Sequence, residues 1–347
     1  MTDQTYITGW DIGGAHLKAA RCNTQGQLID IIEVACPLWK GLDQLGLAIT
    51  KVQQQLVNTN DIAAITMTAE LVDIFANRQT GVQRLLDYFN DFIAPSLCYV
   101  YGAEKGWLSP DQAKQHWYYV ASRNWQASAS LAANYVDNGI FIDVGSTTSD
   151  IIPLHQGQAS PTGFSDFERQ KSRELLYTGA IRTPLIALAN AAPFNGHSVG
   201  LAAELFASTA DCWFLLGQIN AEKIQDLSCD GQPWDVAHCQ QRLARLLGTD
   251  AHQHTASQWL QLASWFAQQQ VNLVTDACQH VISAHPGLQS ETTIVGAGIG
   301  RFIVKLCAER LSFNYKDFDN LLAQPESLAS DHAAATAVAL LAQQQLT

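Results

Sequence analysis

The sequence predicts a two-lobed α/β protein with a central cleft, and three observations predict it. The chain has 347 residues, 47% of them apolar and 15% charged, which is more than one ordinary core holds and suits two of moderate size. A plan of apolar strand, aspartate, apolar residue, glycine and returning strand occurs twice, around Asp11-Ile-Gly13-Gly14 and around Asp143-Val-Gly145-Ser146-Thr147-Thr148. Two such segments one domain-length apart read as a duplicated fold. Segments of strand character also alternate with segments of helical period.

In chain order, Tyr6–Trp10 is apolar and β-prone, and Leu17–Ala20 returns from the glycine pair. A turn at Thr24-Gln25-Gly26 leads to a third strand, Leu28–Val34, so the segment reads as a hairpin meander. Leu42–Leu56 has helical spacing, and Ala63–Thr68 reads as a buried strand ending on Ala69-Glu70. Thr80–Phe92 reads as a helix, Ser96–Val100 as a short strand and Ser128–Tyr135 as a helix. The second hairpin spans Gly139–Gly163, with a turn at Gln156-Gly157. Beyond Leu185 the helical candidates are Ser198–Leu216, Val236–Leu247, His254–Ala284 and Asp331–Gln345. Asp211–Asp235 reads as irregular, and a strand at Thr292–Val295 runs into Gly296-Ala-Gly298-Ile-Gly300. The expected division is 1–137 for lobe I, 138–330 for lobe II with helical insertions, and 331–347 as a C-terminal helix packing back towards lobe I. The two loops are expected to come within one polyphosphate's reach of each other.

Charge and cysteine usage narrow the function. The net charge is −12 and no Lys/Arg run is present, which argues against nucleic acid as a partner. No apolar run of about 20 residues exists, so no membrane span is expected. The eight cysteines form no CxxC pair and no signal peptide opens the chain; a cytoplasmic protein with free thiols is expected. The expected partner is a small-molecule diphosphate or nucleotide.

Glycines at 13 and 14 let the backbone approach a ligand and turn N–H groups towards phosphate. Asp11, at the end of a buried strand, needs a partner, and Mg²⁺ or water supplies one; the alternative is a tight hairpin with a capping aspartate. Lys18, on the returning strand, is placed to meet a phosphate as a point charge. Gly145, Ser146, Thr147 and Thr148 place backbone N–H groups and three hydroxyls in one bend between Asp143 and Asp150, which suits a phosphate with Mg²⁺. The candidate metal ligands are Asp11, Asp143 and Asp150, and the candidate catalytic residues are Asp11, Lys18, Glu70 and Asp143. Arg123 and Arg182 are candidate phosphate clamps, against the alternative of ordinary ion pairs; Glu70 is a candidate base, against that of a solvated strand end. Gly296, Gly298 and Gly300 follow GxGxG spacing without the acidic residue of a dinucleotide fingerprint, and read as a turn beneath a nucleotide or substrate. His252 and His254 lack a third ligand, so zinc is not expected. No nucleophile elbow and no Walker lysine motif is present.

The paired Asp-Ile-Gly-Gly and Asp-Val-Gly-Ser-Thr-Thr loops and the late glycine turn resemble the actin-like ATPase (ASKHA) superfamily of actins, heat-shock chaperones and sugar kinases, with its ribonuclease H-like fold. With Met67-Thr-Ala-Glu70-Leu, Tyr177-Thr-Gly-Ala-Ile-Arg182-Thr-Pro184 and Ala202-Ala-Glu-Leu-Phe-Ala-Ser-Thr-Ala-Asp211, the chain is similar to the hydantoinase A/oxoprolinase branch. Within that branch it resembles the small tetrahydromethanopterin-linked C1-transfer pathway proteins of methylofuran biosynthesis. The resemblance implies a transferase joining a furan-methyl diphosphate to the phenol of γ-glutamyl-tyramine with release of pyrophosphate, using Mg²⁺. The same fold also serves ATP-dependent small-molecule kinases or amide hydrolases, and nucleotide-binding regulators, and these readings, with ATP or ADP as ligand, stay open at the level of sequence.

Overall fold

The computed structural model describes residues 5–56, 61–288, 292–322 and 327–346. The first sheet holds β1 (Tyr6–Ile12), β2 (His16–Asn23), β3 (Leu28–Ala35), β4 (Ile62–Met67), β5 (Cys98–Tyr101) and β6 (Trp107–Leu108), in the order β3-β2-β1-β4-β5-β6. The first three strands are an antiparallel meander, and β4 and β5 join in parallel after helical crossovers. This strand order, an antiparallel meander extended by parallel strands, is that of the ribonuclease H-like fold expected from the sequence.

Strand β1 is buried on both faces, so its sequence shows little alternation. On one face Trp10 and Ile12 enter a core with α1 (Asp43–Gln55) and α2 (Arg78–Phe89). On the other, Gly9 lets the last helix lie directly on the strand, since a Cβ there would collide with Ala335 and Ala339. The helices α3 (Pro110–Gln115) and α4 (Asn124–Ala133) complete this part of the chain.

The second sheet repeats the plan with β7 (Gly139–Val144), β8 (Ser149–His155), β9 (Gln158–Ala159) and β10 (Leu175–Leu176), then β13 (Thr293–Ala297) and β14 (Asn314–Asp317) from late in the chain. Its order is β10-β8-β7-β13-β14, with β9 on β8. Between β10 and β13 lie a hairpin, β11 (Ala191–Phe194) and β12 (His197–Gly200), and the helices α6 (Thr209–Leu215), α7 (Val236–Leu247) and α8 (Ala256–Ala284), while α5 (Asp166–Lys171) precedes β10. The chain closes with α9 (Arg301–Leu311), α10 (Ser327–Asp331) and α11 (Ala333–Leu346). Helix α11 is apolar nearly all round, as a helix enclosed by β1, β2, β4 and α4 must be; Thr347, the last residue of the expected helix, lies outside the described residues. No helix among them is long and apolar enough to cross a membrane.

Two expectations fail here. Ser198–Leu216 is not one helix: Asn195 (φ 51°) and Gly196 (φ 79°) form a two-residue turn that makes β11 and β12 a hairpin. Asn-Gly is the strongest short-range hairpin signal, and it stands openly in the sequence. Nor is Asp211 irregular. It lies in α6, where its buried carboxylate accepts a 2.6 Å hydrogen bond from Arg242 Nε of α7.

The chain forms two compact units. One comprises Met1–Phe141, Ile152–Ser160 and Lys316–Thr347, and the other Ile142–Ile151 and Pro161–Tyr315.

Candidate active site

In the first unit the sheet register builds the site. Asp11 on β1 stands opposite Lys18 on β2 and beside Thr66 on β4, and Lys18 stands opposite Glu33 on β3. Paired residues share a face of a sheet, so Glu33, Lys18, Asp11 and Thr66 form one polar row across four strands. The Asp11 side chain is buried, with Oδ2 4.0 Å from Lys18 Nζ. Among the described residues, Asp11 Oδ1 and Thr66 Oγ1 are buried polar atoms without a hydrogen-bond partner. Buried polar atoms in a protein interior are satisfied as a rule, and these two lie side by side in the register of β1 and β4. Burial pushes the Asp11 carboxyl up from its ordinary value, and the Lys18 ammonium and a hydrogen bond from Asn124, the first residue of α4, pull it partly back.

Because that shift is upward, Asp11 stabilises the fold most below its ordinary pKa of 3.8, and the contribution is lost as pH rises through the folded value. Asp11→Asn removes the loss. The ligand-free variant is expected to melt above the parent at neutral pH by about 2 °C or more, a gain that shrinks as the pH is lowered to about 4. Calorimetry across that range checks it; a variant that melts below the parent at neutral pH would show that the carboxylate is stabilised rather than strained.

The two loops share one local geometry. In the first, Gly13 N–H donates to His16 O at 3.0 Å; in the second, Gly145 N–H donates to Thr148 O at 2.9 Å. Each aspartate therefore precedes, by two positions, a glycine that closes a hairpin on the carbonyl three residues later. The duplication read from residue order extends to the hydrogen bonds.

In the second unit the loop rests on the Thr178–Thr183 segment. Ala180 N–H donates to Gly145 O at 2.9 Å, and the N–H groups of Ile181 and Arg182 both donate to Ser146 O, at 3.1 and 2.9 Å. In a planar trans peptide the N–H points opposite to its C=O. Fixing the carbonyls of Gly145 and Ser146 on this segment therefore turns the N–H groups of Ser146 and Thr147 away from it, as an anion-binding loop requires. The late glycine turn abuts the same strand end. Gly300 N–H donates to Val144 O at 2.8 Å, and Gly298 (φ 82°) lies against Asp143 and Val144 so closely that no side chain fits. Gly296 packs against the Tyr315 ring instead.

The remaining candidates are placed as follows. Gly14 lies against Val72. Glu70 is buried and accepts a 2.5 Å hydrogen bond from Ser122 Oγ, so it is not a solvated strand end. Arg123 is buried, donating to Gln126 Oε1 at 2.8 Å with Tyr118 beside it; its guanidinium braces α4. Arg182 holds Ser146 through its backbone while its half-exposed side chain lies 3.9 Å from Asp226 Oδ1. Asp150 is engaged by the buried Arg169 at 2.7 Å. Thr66 and Ser122 carry no motif in the sequence; Ser122 precedes the Arg123-Asn124-Trp125 polar island, and Thr66 is one register step from Asp11. Among the described residues no group of three or more His, Cys, Asp or Glu is placed to hold a metal ion.

Comparison with known proteins gives four findings. The (4-{4-[2-(gamma-L-glutamylamino)ethyl]phenoxymethyl}furan-2-yl)methanamine synthase of Methanocaldococcus jannaschii is 30% identical over 348 residues, 98% of each chain. The synthase of that name from Methanococcus vannielii is 32% identical over 209 residues, 59% of this chain and 90% of the relative. The nucleotide-free structure of acetone carboxylase superposes with a TM-score of 0.54 at 11% identity, over 89% of this chain and 67% of that one, a likeness of fold. The hydantoinase/oxoprolinase family model matches residues 61–344, and with that span and the full-length relative the chain belongs to the hydantoinase/oxoprolinase family.

Proposed function

We propose that this protein is an ether-forming transferase of methylofuran biosynthesis, joining a furan-methyl diphosphate to the phenol of γ-glutamyl-tyramine. The observation that carries this reading is the likeness over 98% of both chains to a synthase whose product, by its name, contains an aryl–O–CH₂–furan ether. In the proposed reaction the bond between the furan methylene carbon and the diphosphate oxygen breaks, and its electron pair leaves with pyrophosphate. The phenol oxygen forms the new bond to that carbon and gives up its proton. The furan ring spreads the charge developing at its methylene carbon, so the main demand on the protein is to hold the charge growing on the leaving group.

The residues supply matching roles. The N–H groups of Ser146 and Thr147 are oriented as donors by the Ala180–Arg182 contacts, with the Thr148 hydroxyl in the same bend. Lys18 supplies a compact positive charge. Glu70, held by Ser122, is the candidate acceptor of the phenol proton. Mg²⁺ would be held by Asp11, whose unpartnered Oδ1 fits such a role, and would neutralise diphosphate charge. Asp150, committed to Arg169, does not fit that role.

Ligand-shift melting separates this reading from a nucleotide-dependent one. Pyrophosphate with Mg²⁺ is expected to stabilise the protein, by about 2.7 kcal/mol at one hundred times its dissociation constant, and incubation with both substrates is expected to yield the ether by mass spectrometry. Stabilisation by ATP with Mg²⁺ but not by pyrophosphate, with no ether formed, would favour a kinase, a hydrolase or a regulator.

A further inference from the structure

Helix α8 presents a buried stripe that includes Phe266, Ala267, Val271 and Val274, and two members of the stripe are polar: Thr275, whose hydroxyl bonds back to Val271 O of its own helix, and Gln270. Gln270 is fully buried at a position where helical period calls for an apolar residue. A buried amide is costly unless every polar atom is satisfied, and departures from local sequence rules concentrate at functional sites. Here the satisfaction is directional. Trp213 Nε1, which can only donate, points at Gln270 Oε1 at 2.7 Å. That fixes which way the amide faces and commits Nε2 to the other side, where it donates to Thr178 Oγ1 at 2.9 Å and to Gly179 O at 2.7 Å.

Gly179 O also receives Thr209 Oγ1 at 2.9 Å. Its peptide unit continues as Ala180 N–H, which donates to Gly145 O. One chain of hydrogen bonds thus runs from Trp213 through Gln270 and the Gly179–Ala180 peptide to the Gly145–Ser146 peptide, whose N–H is the proposed phosphate donor. Such chains polarise and orient their members cooperatively.

We infer that Gln270 is a positioning residue for the phosphate loop, setting the direction of the Ser146 N–H through the Gly179–Ala180 peptide. The inference rests on the proposed diphosphate-binding reading of that loop. Its test is Gln270→Glu, equal in size but a donor only while protonated. Mg²⁺-pyrophosphate affinity is measured by calorimetry across about pH 6–9 and expressed against wild type at each pH, which removes the titration of the ligand itself. Thr178 and Trp213, the side chains bonded to Gln270, do not titrate there. A buried carboxyl has its pKa driven up, in documented cases to about 8–9, and its single O–H can then donate to Gly179 O while the Thr178 hydroxyl turns to donate elsewhere, so the variant is expected to bind near wild-type strength at the acid end. It should bind about tenfold more weakly at the alkaline end, where the lost donor faces two acceptors. Thr209→Val, removing the shorter of the two hydroxyl donations to Gly179 O (Thr209 Oγ1 at 2.9 Å, Thr183 Oγ1 at 3.2 Å), is expected to weaken binding in the same direction. The double variant should lose less than the product of the two single losses, because both act on one carbonyl. A merely structural glutamine would lower melting temperature with a pH-independent affinity ratio, and that result overturns the inference. If Gln270→Glu does not fold, unchanged pyrophosphate affinity in Thr209→Val overturns it alone. Wild-type protein that binds no pyrophosphate removes the underlying reading, and the inference with it; wild-type binding with unaltered variants removes the inference only.

Discussion

Lys18→Ala is expected to lower kcat for ether formation by about 10²–10³-fold, the usual cost of one lost transition-state donor, while the protein still folds. The lysine lies opposite Asp11 in register, with its ammonium 4.0 Å from the carboxylate, beyond the range of a direct hydrogen bond. Charge on the leaving diphosphate grows as the carbon–oxygen bond breaks, so a fixed cation gains value along the reaction coordinate. Its side chain is 29% exposed, which limits its share in stability. Its removal also leaves Asp11 without the strongest influence lowering its pKa, so the variant is expected to melt about 2–4 °C lower at neutral pH and to recover as Asp11 is protonated. Lys18→Arg should restore activity only in part, because a planar fork does not replace a compact ammonium. Steady-state kinetics with melting curves decide it: near-normal kcat would confine Lys18 to neutralising Asp11.

Gly179→Ala is expected to do more damage to pyrophosphate binding than any substitution at Gly145. A Cβ on Gly179 would stand 2.5 Å from Ser146 O and from Thr147 N, so the loop backbone itself must move. Orientation errors of that size remove preorganised donors, and a loss of about 100-fold in affinity and kcat/KM is expected. A Cβ on Gly145 meets only Thr148 O, at 3.6 Å, an ordinary contact. Gly145→Ala should therefore fold and melt as wild type, and any lost affinity there reports crowding of the ligand, with Gly145→Val worse than Gly145→Ala. Calorimetric titration with Mg²⁺-pyrophosphate beside circular-dichroism melting tests the pair; equal affinities for wild type and Gly179→Ala would place the phosphate elsewhere.

These two sites differ in how they could be read. The Asp-x-Gly hairpins, the strand–glycine–helix turn at Gly296–Gly300 and helices such as Val236–Leu247 were legible because their determinants are local. Strand propensity, helical period and the need for glycine in a tight bend are all expressed within a few neighbouring residues. The Asn195-Gly196 hairpin was equally local and was obscured by the helix-like run after it. By itself, then, the sequence determined the repeated fold, the two loops and the polar residues on them.

What those residues do with one another was decided by the tertiary structure. Asp11 and Asp150 look alike as carboxylates beside glycine loops, yet Asp150 is neutralised by Arg169 while Asp11 keeps a buried oxygen without a partner among the described residues. Arg123 and Arg182 look alike as arginines in polar islands, yet one is buried against Gln126 and the other holds Ser146 by its backbone. Gln270 has no motif at all. Its meaning comes from Trp213, Thr178 and Gly179, which converge on it only when α6 and α8 pack together. A backbone turn is specified by the residues that make it, whereas the state of a buried charge or amide depends on which distant group the fold delivers to within 3 Å, because in a low-dielectric interior that one partner outweighs every local preference.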